Sequence, residues 1–321
     1  MSAIASSTFR FFSGSRAGLA VVVGLLVLLF LIGLAVSDRF ATSNNILNVY
    51  EQSAGLALVS LGQTLTVLTG GIDLSVGSII SLASMLTSGL INGDPNMVIP
   101  VVAGVLVLGA VIGAVNGGVI VLTGVHPLIV TLGTGAVLQG IALLYGLGPI
   151  GKVPLNFDYF AYGRLAGGLS VGATFVLFLF VVTALLLRNT RSGRYVYAVG
   201  DDPHASVLMG LPKTGVIIGV YTLSGLFAAL TAVYLVSRFG VGQPYTGANY
   251  TLASITPVVV GGTMLAGGQG GVMGTLLGVY LVSLLNNLLN FLDVSTHYQL
   301  VAQGLVIIAA VSVYVEKRRV A

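Results

Sequence analysis

Charge-free apolar runs alternate with short polar intervals along almost the whole chain. A helix that crosses a hydrocarbon core of about 30 Å needs about 20 predominantly apolar residues. By that measure the pattern predicts spans near Gly18–Val36, Ala54–Thr69, Leu74–Leu90, Met97–Leu122 and Leu128–Leu147, then Leu169–Leu187. After a polar interval it predicts Val216–Ser237, Leu252–Gly262, Val272–Leu289 and Leu300–Val315. The reading is an all-α polytopic membrane protein with about ten transmembrane helices, folded as one membrane domain over residues 1–321. Glycine clusters interrupt the Ala54–Leu90 and Leu252–Leu289 regions, so eight or nine spans also fit. The first run resembles a signal peptide in ending on Ala35-Val36-Ser37, but it is longer than the roughly 7–15 residues of a signal core. It reads as an uncleaved span.

Composition agrees. Charged residues are 7% of 321, hydrophobic residues 56%, and the mean hydropathy is +1.03. A water-exposed surface needs far more charge. The 45 glycines suit close approach of membrane helices. A net charge of +4 spread along the chain gives no basic patch for nucleic acid. With no cysteine there is no thiolate chemistry and no disulfide. His126, His204 and His297 have no metal-ligand spacing, and no serine–base or paired-aspartate set suggests an intramembrane enzyme.

The basic residues orient the chain. With the N-terminus in the cytoplasm, Arg10, Arg16, Arg188, Arg191, Arg194, Lys213 and Lys317-Arg318-Arg319 lie inside, and Arg39, Lys152, Arg164 and Arg238 outside. Both termini are then cytoplasmic, Gly148–Gly168 is external and Arg188–Lys213 internal. The internal stretch encodes a short helix. Asp202 is its N-cap, Pro203 its first residue, Gly210 its left-handed stop, and Pro212 blocks continuation. So short a helix needs a surface to lie against.

Two glycine-rich breaks stand out. Thr69-Gly70-Gly71-Ile72-Asp73-Leu74-Ser75-Val76-Gly77-Ser78 interrupts an apolar region and carries an acid, which costs about 2.5–3.5 kcal/mol at a helix centre. Asp73 either caps the following helix through the amides of Ser75 and Val76, or lines a pathway; both roles are open. The second break, Gly261–Gly271, reads as a tight re-entrant turn. Gly146–Val153 nearly matches a phosphate-binding loop, but valine replaces the metal-binding hydroxyl, and the match reads as chance. Candidate pathway residues are Gln63, Asp73, Ser75, Asn116, Asn286 and Asn287, each of which could equally join helices. The excess of amides over charges points to a neutral polar cargo. Gly109, Gly113, Gly117 and Gly270, Gly274, Gly278 share a four-residue period, while Asn116/His126 and Asn287/His297 share a ten-residue one. The two sets imply different offsets, so an inverted repeat of spans 2–5 and 7–10 has only weak support.

The segment Thr69–Ser78 resembles the signature of ribose-type monosaccharide permeases of ATP-binding-cassette importers, and Val259–Gly268, Asn286–Asn290 and Arg194–Gly200 extend the resemblance in order. The resemblance implies a permease subunit that moves a pentose, hexose or related polyol inward by alternating access. It implies a separate, two-cassette ATPase that binds ATP and Mg, an extracytoplasmic sugar-binding protein and a second copy of the chain. No cofactor is then expected in this chain, and the location implied is the bacterial inner membrane. Within the cytoplasmic loop 188–213, Gly200, Asp201, Asp202, Pro203, His204, Ala205, Ser206 and Gly210 match the segment that docks into the ATPase. His204 and Ser206 stand where that family often has an acid and an alanine, a change that bears on the fit to this chain's own ATPase. An ion-driven secondary transporter is the alternative, with Asp73 as the sole well-buried acid to couple through.

Overall fold

A computed structural model describes residues 15–165 and 168–314. Arg10 and the Lys317–Arg319 run lie outside the described residues. Over the described residues the chain is helical, with only two isolated β-bridges. The helices are α1 (Ser15–Val36), α2 (Ser43–Leu68), α3 (Val76–Ile91), α4 (Val98–Thr123), α5 (Pro127–Tyr145), α6 (Tyr159–Tyr162) and α7 (Val171–Asn189). They continue as α8 (Arg191–Asp201), α9 (Pro203–Leu208), α10 (Lys213–Phe239), α11 (Tyr250–Ala253), α12 (Ile255–Val260), α13 (Val272–Phe291) and α14 (Thr296–Tyr314).

Six of the described helices are long and apolar enough to cross a membrane: α1, α4 with its 3-10 lead-in, α5, α7, α10 and α13. The other four expected spans differ from expectation in bounds, length or continuity. α2 begins at Ser43, well before the expected Ala54, because its polar first turns find partners. Thr42 caps it, Tyr50 Oη meets Thr174 Oγ1 at 3.0 Å, and Glu51 pairs with Arg164. α3 has 16 residues, about 24 Å, too short for a full crossing. The expected Leu252–Gly262 span is two short helices, α11 and α12. α14 starts at Thr296, four residues before the expected Leu300, and carries Gln299 and Gln303.

α2 is buried from Ser53 to Leu68, and α10 is buried along most of its later half; together with α3 and α4 they form the core. α1 stands at the periphery against α13, where Val22 joins Val260 and Leu281, and its outer face exposes Val27, Leu28 and Leu31. The glycine stripe on α4 is a contact surface. A Cβ on Gly109 would lie 2.5 Å from the Gly225 carbonyl oxygen, and one on Gly113 would lie 2.1 Å from that of Tyr221. The backbones of α4 and α10 therefore touch, as small residues permit in membranes. Gly274 and Gly278 do the same against Gly261 and Pro257, whereas Gly270 belongs to the preceding loop and leaves the expected stripe.

Packing partners correspond between the halves. α3 contacts α4, α5 and α10; α12 contacts α13, α14 and α2. With α2 matched to α10, α4 to α13 and α5 to α14, these are the same three neighbours, an arrangement the conflicting sequence offsets did not reveal.

Between α10 and α11 the chain forms a series of turns that packs along α3. Ser88 Oγ accepts from Gly242 N at 2.9 Å and donates to Ile150 O at 2.7 Å, and Ser81 Oγ accepts from Gly247 N at 3.0 Å. A Cβ on Gly247 would lie 1.8 Å from the Gly77 carbonyl oxygen. Irregular backbone at membrane depth survives only when protein supplies its hydrogen bonds. Here the serines of α3 supply them. The glycine of the near-match to a phosphate loop, Gly151, has φ +70° and lies against the Ser88 carbonyl, a packing role.

Candidate functional site

Asp73 sits at the break between α2 and α3, fully buried. Its Oδ1 accepts from Ser75 N at 3.0 Å and from Ser75 Oγ at 2.6 Å, and its Oδ2 accepts from Ser224 Oγ of α10 at 2.8 Å. The expected bond from Val76 N is replaced by the Ser75 hydroxyl, because Ser75 is itself the residue that caps α3. Ser75 Oγ in turn accepts from Asn116 Nδ2 at 2.9 Å, and Asn116 Oδ1 accepts from Thr134 Oγ1 at 2.6 Å. The Gln63 carboxamide, turned so that its oxygen meets Asp73 N at 3.2 Å and its nitrogen meets Asp73 O at 3.1 Å, holds the broken backbone from α2. Thr131 Oγ1 accepts from Leu74 N at 3.1 Å. Five elements thus converge on one carboxylate and its peptide groups, and every hydrogen bond to the carboxylate is a donation to it. That is the arrangement an acceptor-only carboxylate requires.

Four of the six pathway candidates, Gln63, Asp73, Ser75 and Asn116, belong to this network. Asn286 and Asn287 do not. Asn287 exchanges hydrogen bonds with Asn45 of α2 at 2.9 and 3.0 Å. Asn286 accepts from Gln303 Nε2 at 3.1 Å and lines a cleft of about 270 Å³ between α2, α11, α13 and α14. Ser224, Thr131 and Thr134 complete the Asp73 network. Residues 224 and 73 are far apart in sequence, and no local spacing links them.

The short helix forms as its capping residues dictate. Asp202 Oδ1 accepts from His204 N at 2.8 Å and Ala205 N at 2.9 Å, Pro203 opens α9, and Gly210 follows it at φ +73°. Asp201, Asp202, Pro203, His204, Val207 and Lys213 line a groove of about 510 Å³. Ser206 is buried, with its hydroxyl on the Pro203 carbonyl, and Gly200 is also buried. The remaining expected docking residues are exposed or, for Ala205, half-buried. Sequence reasoning passed over Val207, Leu208 and Met209, which expose 54, 76 and 68% of their surface side by side. Consecutive apolar residues inside a capped polar loop were the available signal.

Gly200 joins this helix pair to both breaks. A Cβ there would lie 1.8 Å from the Leu68 carbonyl oxygen and 2.7 Å from Gly268 N. Gly268 N donates to that same Leu68 oxygen at 3.0 Å, and Gly267, at φ +88°, lies against Gly70. Tyr197 of α8 donates from Oη to Gly270 O at 3.1 Å, and burial raises its phenol above the ordinary value. The end of α2, the glycine loop 261–271 and the end of α8 therefore meet largely through backbone, with the Tyr197 hydroxyl as a side-chain link.

The family described as "Branched-chain amino acid transport system / permease component" matches residues 45–311. The chain is 39% identical over 302 residues to Ribose import permease protein RbsC of Bacillus subtilis (strain 168), covering 94% of this chain and 93% of that protein. It is 32% identical over 297 residues to D-allose transport system permease protein AlsC of Escherichia coli (strain K12), covering 92% and 90%. It is 33% identical over 322 residues to Fructose import permease protein FrcC of Rhizobium meliloti, covering 97% and 89%. No solved structure matches the chain.

Proposed function

The chain belongs to the family of permease components of branched-chain amino acid transport systems, and from that premise we propose that it is the membrane subunit of an ATP-driven monosaccharide importer. The similarity to ribose, allose and fructose permeases over nearly the full length supports a sugar cargo. A separate two-cassette ATPase, an extracytoplasmic sugar-binding protein and a second copy of this chain complete the machine. The chain lies in the bacterial inner membrane and crosses it ten times, with both termini cytoplasmic; α3 and the 240–260 segment form the two irregular crossings. The Lys and Arg distribution supports this orientation.

The observation that carries the reading is the backbone junction at Gly200. The α9 surface of Val207, Leu208 and Met209 docks on the ATPase, with Asp202 holding the helix rigid. Displacement of α9 moves α8, and Gly200 passes the movement to Leu68 of α2 and to the 261–271 loop. α2 also carries Gln63, so the same rod reaches the Asp73 network. That network is the joint about which α2, α3, α4, α5 and α10 rearrange when access alternates.

Purification of the tagged chain from its native membranes in mild detergent, followed by native mass spectrometry, tests the reading. An assembly containing an ATPase is expected. A chain that purifies alone, yet moves solute in liposomes under an ion gradient, overturns it.

A further inference from the structure

We infer that the cleft between α2, α11, α13 and α14 is the site at which the permease receives its sugar, an inference that rests on the importer reading above. Five carboxamides, Gln52, Asn249, Asn286, Gln299 and Gln303, converge there beside the ring of Tyr250, on a wall otherwise lined by aliphatic side chains such as Val49, Leu56 and Val282. No charged side chain lines it among the described residues. Amides facing a bilayer without partners are costly, so such a wall implies either water or a polar occupant.

The hydrogen-bonding capacity is only partly used. Gln303 Nε2 donates to Asn286 Oδ1, and Gln299 Nε2 donates to Asn290 Oδ1 at 2.6 Å and Val294 O at 3.0 Å. Among the described residues, the Asn249 side chain, the Ser283 hydroxyl, Asn286 Nδ2 and the carbonyl oxygens of Gln299 and Gln303 have no partner. The cleft thus offers free donors and free acceptors together. A compound whose every substituent both donates and accepts is a polyol. An amino acid would bring a carboxylate and an ammonium into a wall with no opposite charge to meet them. The volume, about 270 Å³, sits at the small end of the roughly 300–1,000 Å³ usual for small-molecule pockets.

Location supports the role. Gln52 lies 16 residues before Leu68 on α2, about 24 Å along the helix from the Gly200 junction. The cleft is therefore in the half of the bundle remote from the docking helix, the half that a binding protein on the other side of the membrane would address. α2 runs from the cleft through Gln63 to that junction, which places sugar and ATPase at opposite ends of one rod.

The test begins with the unmodified chain, produced with its ATPase and binding protein, and uptake of labelled D-ribose, D-allose and D-fructose. Import of none of the three, nor of any other labelled pentose, hexose or polyol, overturns the sugar-importer reading and this inference with it. Where one is imported, the natural absence of cysteine allows a single reporter, Ser283→Cys. A charged, membrane-impermeant thiosulfonate should modify it from the face remote from α9. An excess of the imported sugar, but not of leucine, should slow modification several-fold. Asn286→Leu and Gln303→Leu should each lower uptake roughly three- to tenfold, the worth of about one hydrogen bond, while co-purification with the ATPase shows that the chain is folded. An unreactive thiol at position 283, protection by leucine instead of sugar, no protection at all, or unchanged uptake in both leucine variants overturns the inference and leaves the importer reading standing.

Discussion

Replacing Gly200 by alanine adds one methyl group at the meeting of α8, α2 and the 261–271 loop. That methyl would begin 1.8 Å from the Leu68 carbonyl oxygen, where carbon rarely approaches closer than 3.0 Å. One side must withdraw by about 1.2 Å. The Gly268 N to Leu68 O bond, now 3.0 Å, spans the same gap and is lost if the loop and α2 separate by that amount. Overpacking costs about 1–3 kcal/mol and the hydrogen bond about 1 kcal/mol, together about 2–4 kcal/mol. A bundle of this size should tolerate such a cost and still fold, but the junction would no longer be in register. The expected result in proteoliposomes is a Gly200→Ala complex of normal composition, with a lowered melting temperature and less sugar moved per ATP hydrolysed. Gly219→Ala on α10 is the control, since its added carbon meets nothing within 4 Å. Equal melting temperature and equal coupling in the two variants would refute the junction.

Three further outcomes follow from other contacts. Asp73→Ala removes the acceptor for the Ser75 amide and for two hydroxyls in a site without water access; at about 1–3 kcal/mol for each buried donor left unpaired, thermal unfolding should fall well below that of Asp73→Asn, which keeps one acceptor oxygen. Equal unfolding temperatures would show that the network does not hold the break. Asp202→Ala loses two amide bonds at the start of α9, about 1 kcal/mol, and should weaken association with the ATPase; undiminished association would show that this cap does not hold the docking helix. Leu208→Glu with Met209→Glu should abolish co-purification with the ATPase while the chain still reaches the membrane; retained co-purification would move the docking surface elsewhere.

What could be read from the sequence was what is decided locally. Asp202, Pro203 and Gly210 specify a helix start and stop within ten residues, and α9 forms where they place it. The glycines at 70 and 71 announce a break because helix propensity fails there regardless of context. The partners of the break were hidden, since Ser224 and Asn116 reach Asp73 only after α4, α5 and α10 have packed. Asn286 and Asn287 look alike in the chain, yet consecutive helical residues point about 100° apart, so one lines the cleft and the other pairs with Asn45. The start of α2 was missed for a similar reason. Glu51 lies before the apolar run that begins at Ala54, and its pairing with Arg164 accounts for its place in the helix.

The serines of α3 also set a timetable for making the protein. Ser88 and Ser81 are satisfied by the backbone of residues 150, 242 and 247, which leave the ribosome long after α3 does. Until then α3 is a segment of 16 residues without its packing partners, too short to hold itself across a bilayer. Its final seat must wait for the second half of the chain. A nascent chain halted before residue 240 should leave α3 exposed to quality-control proteases, although every residue of that helix has already been synthesised.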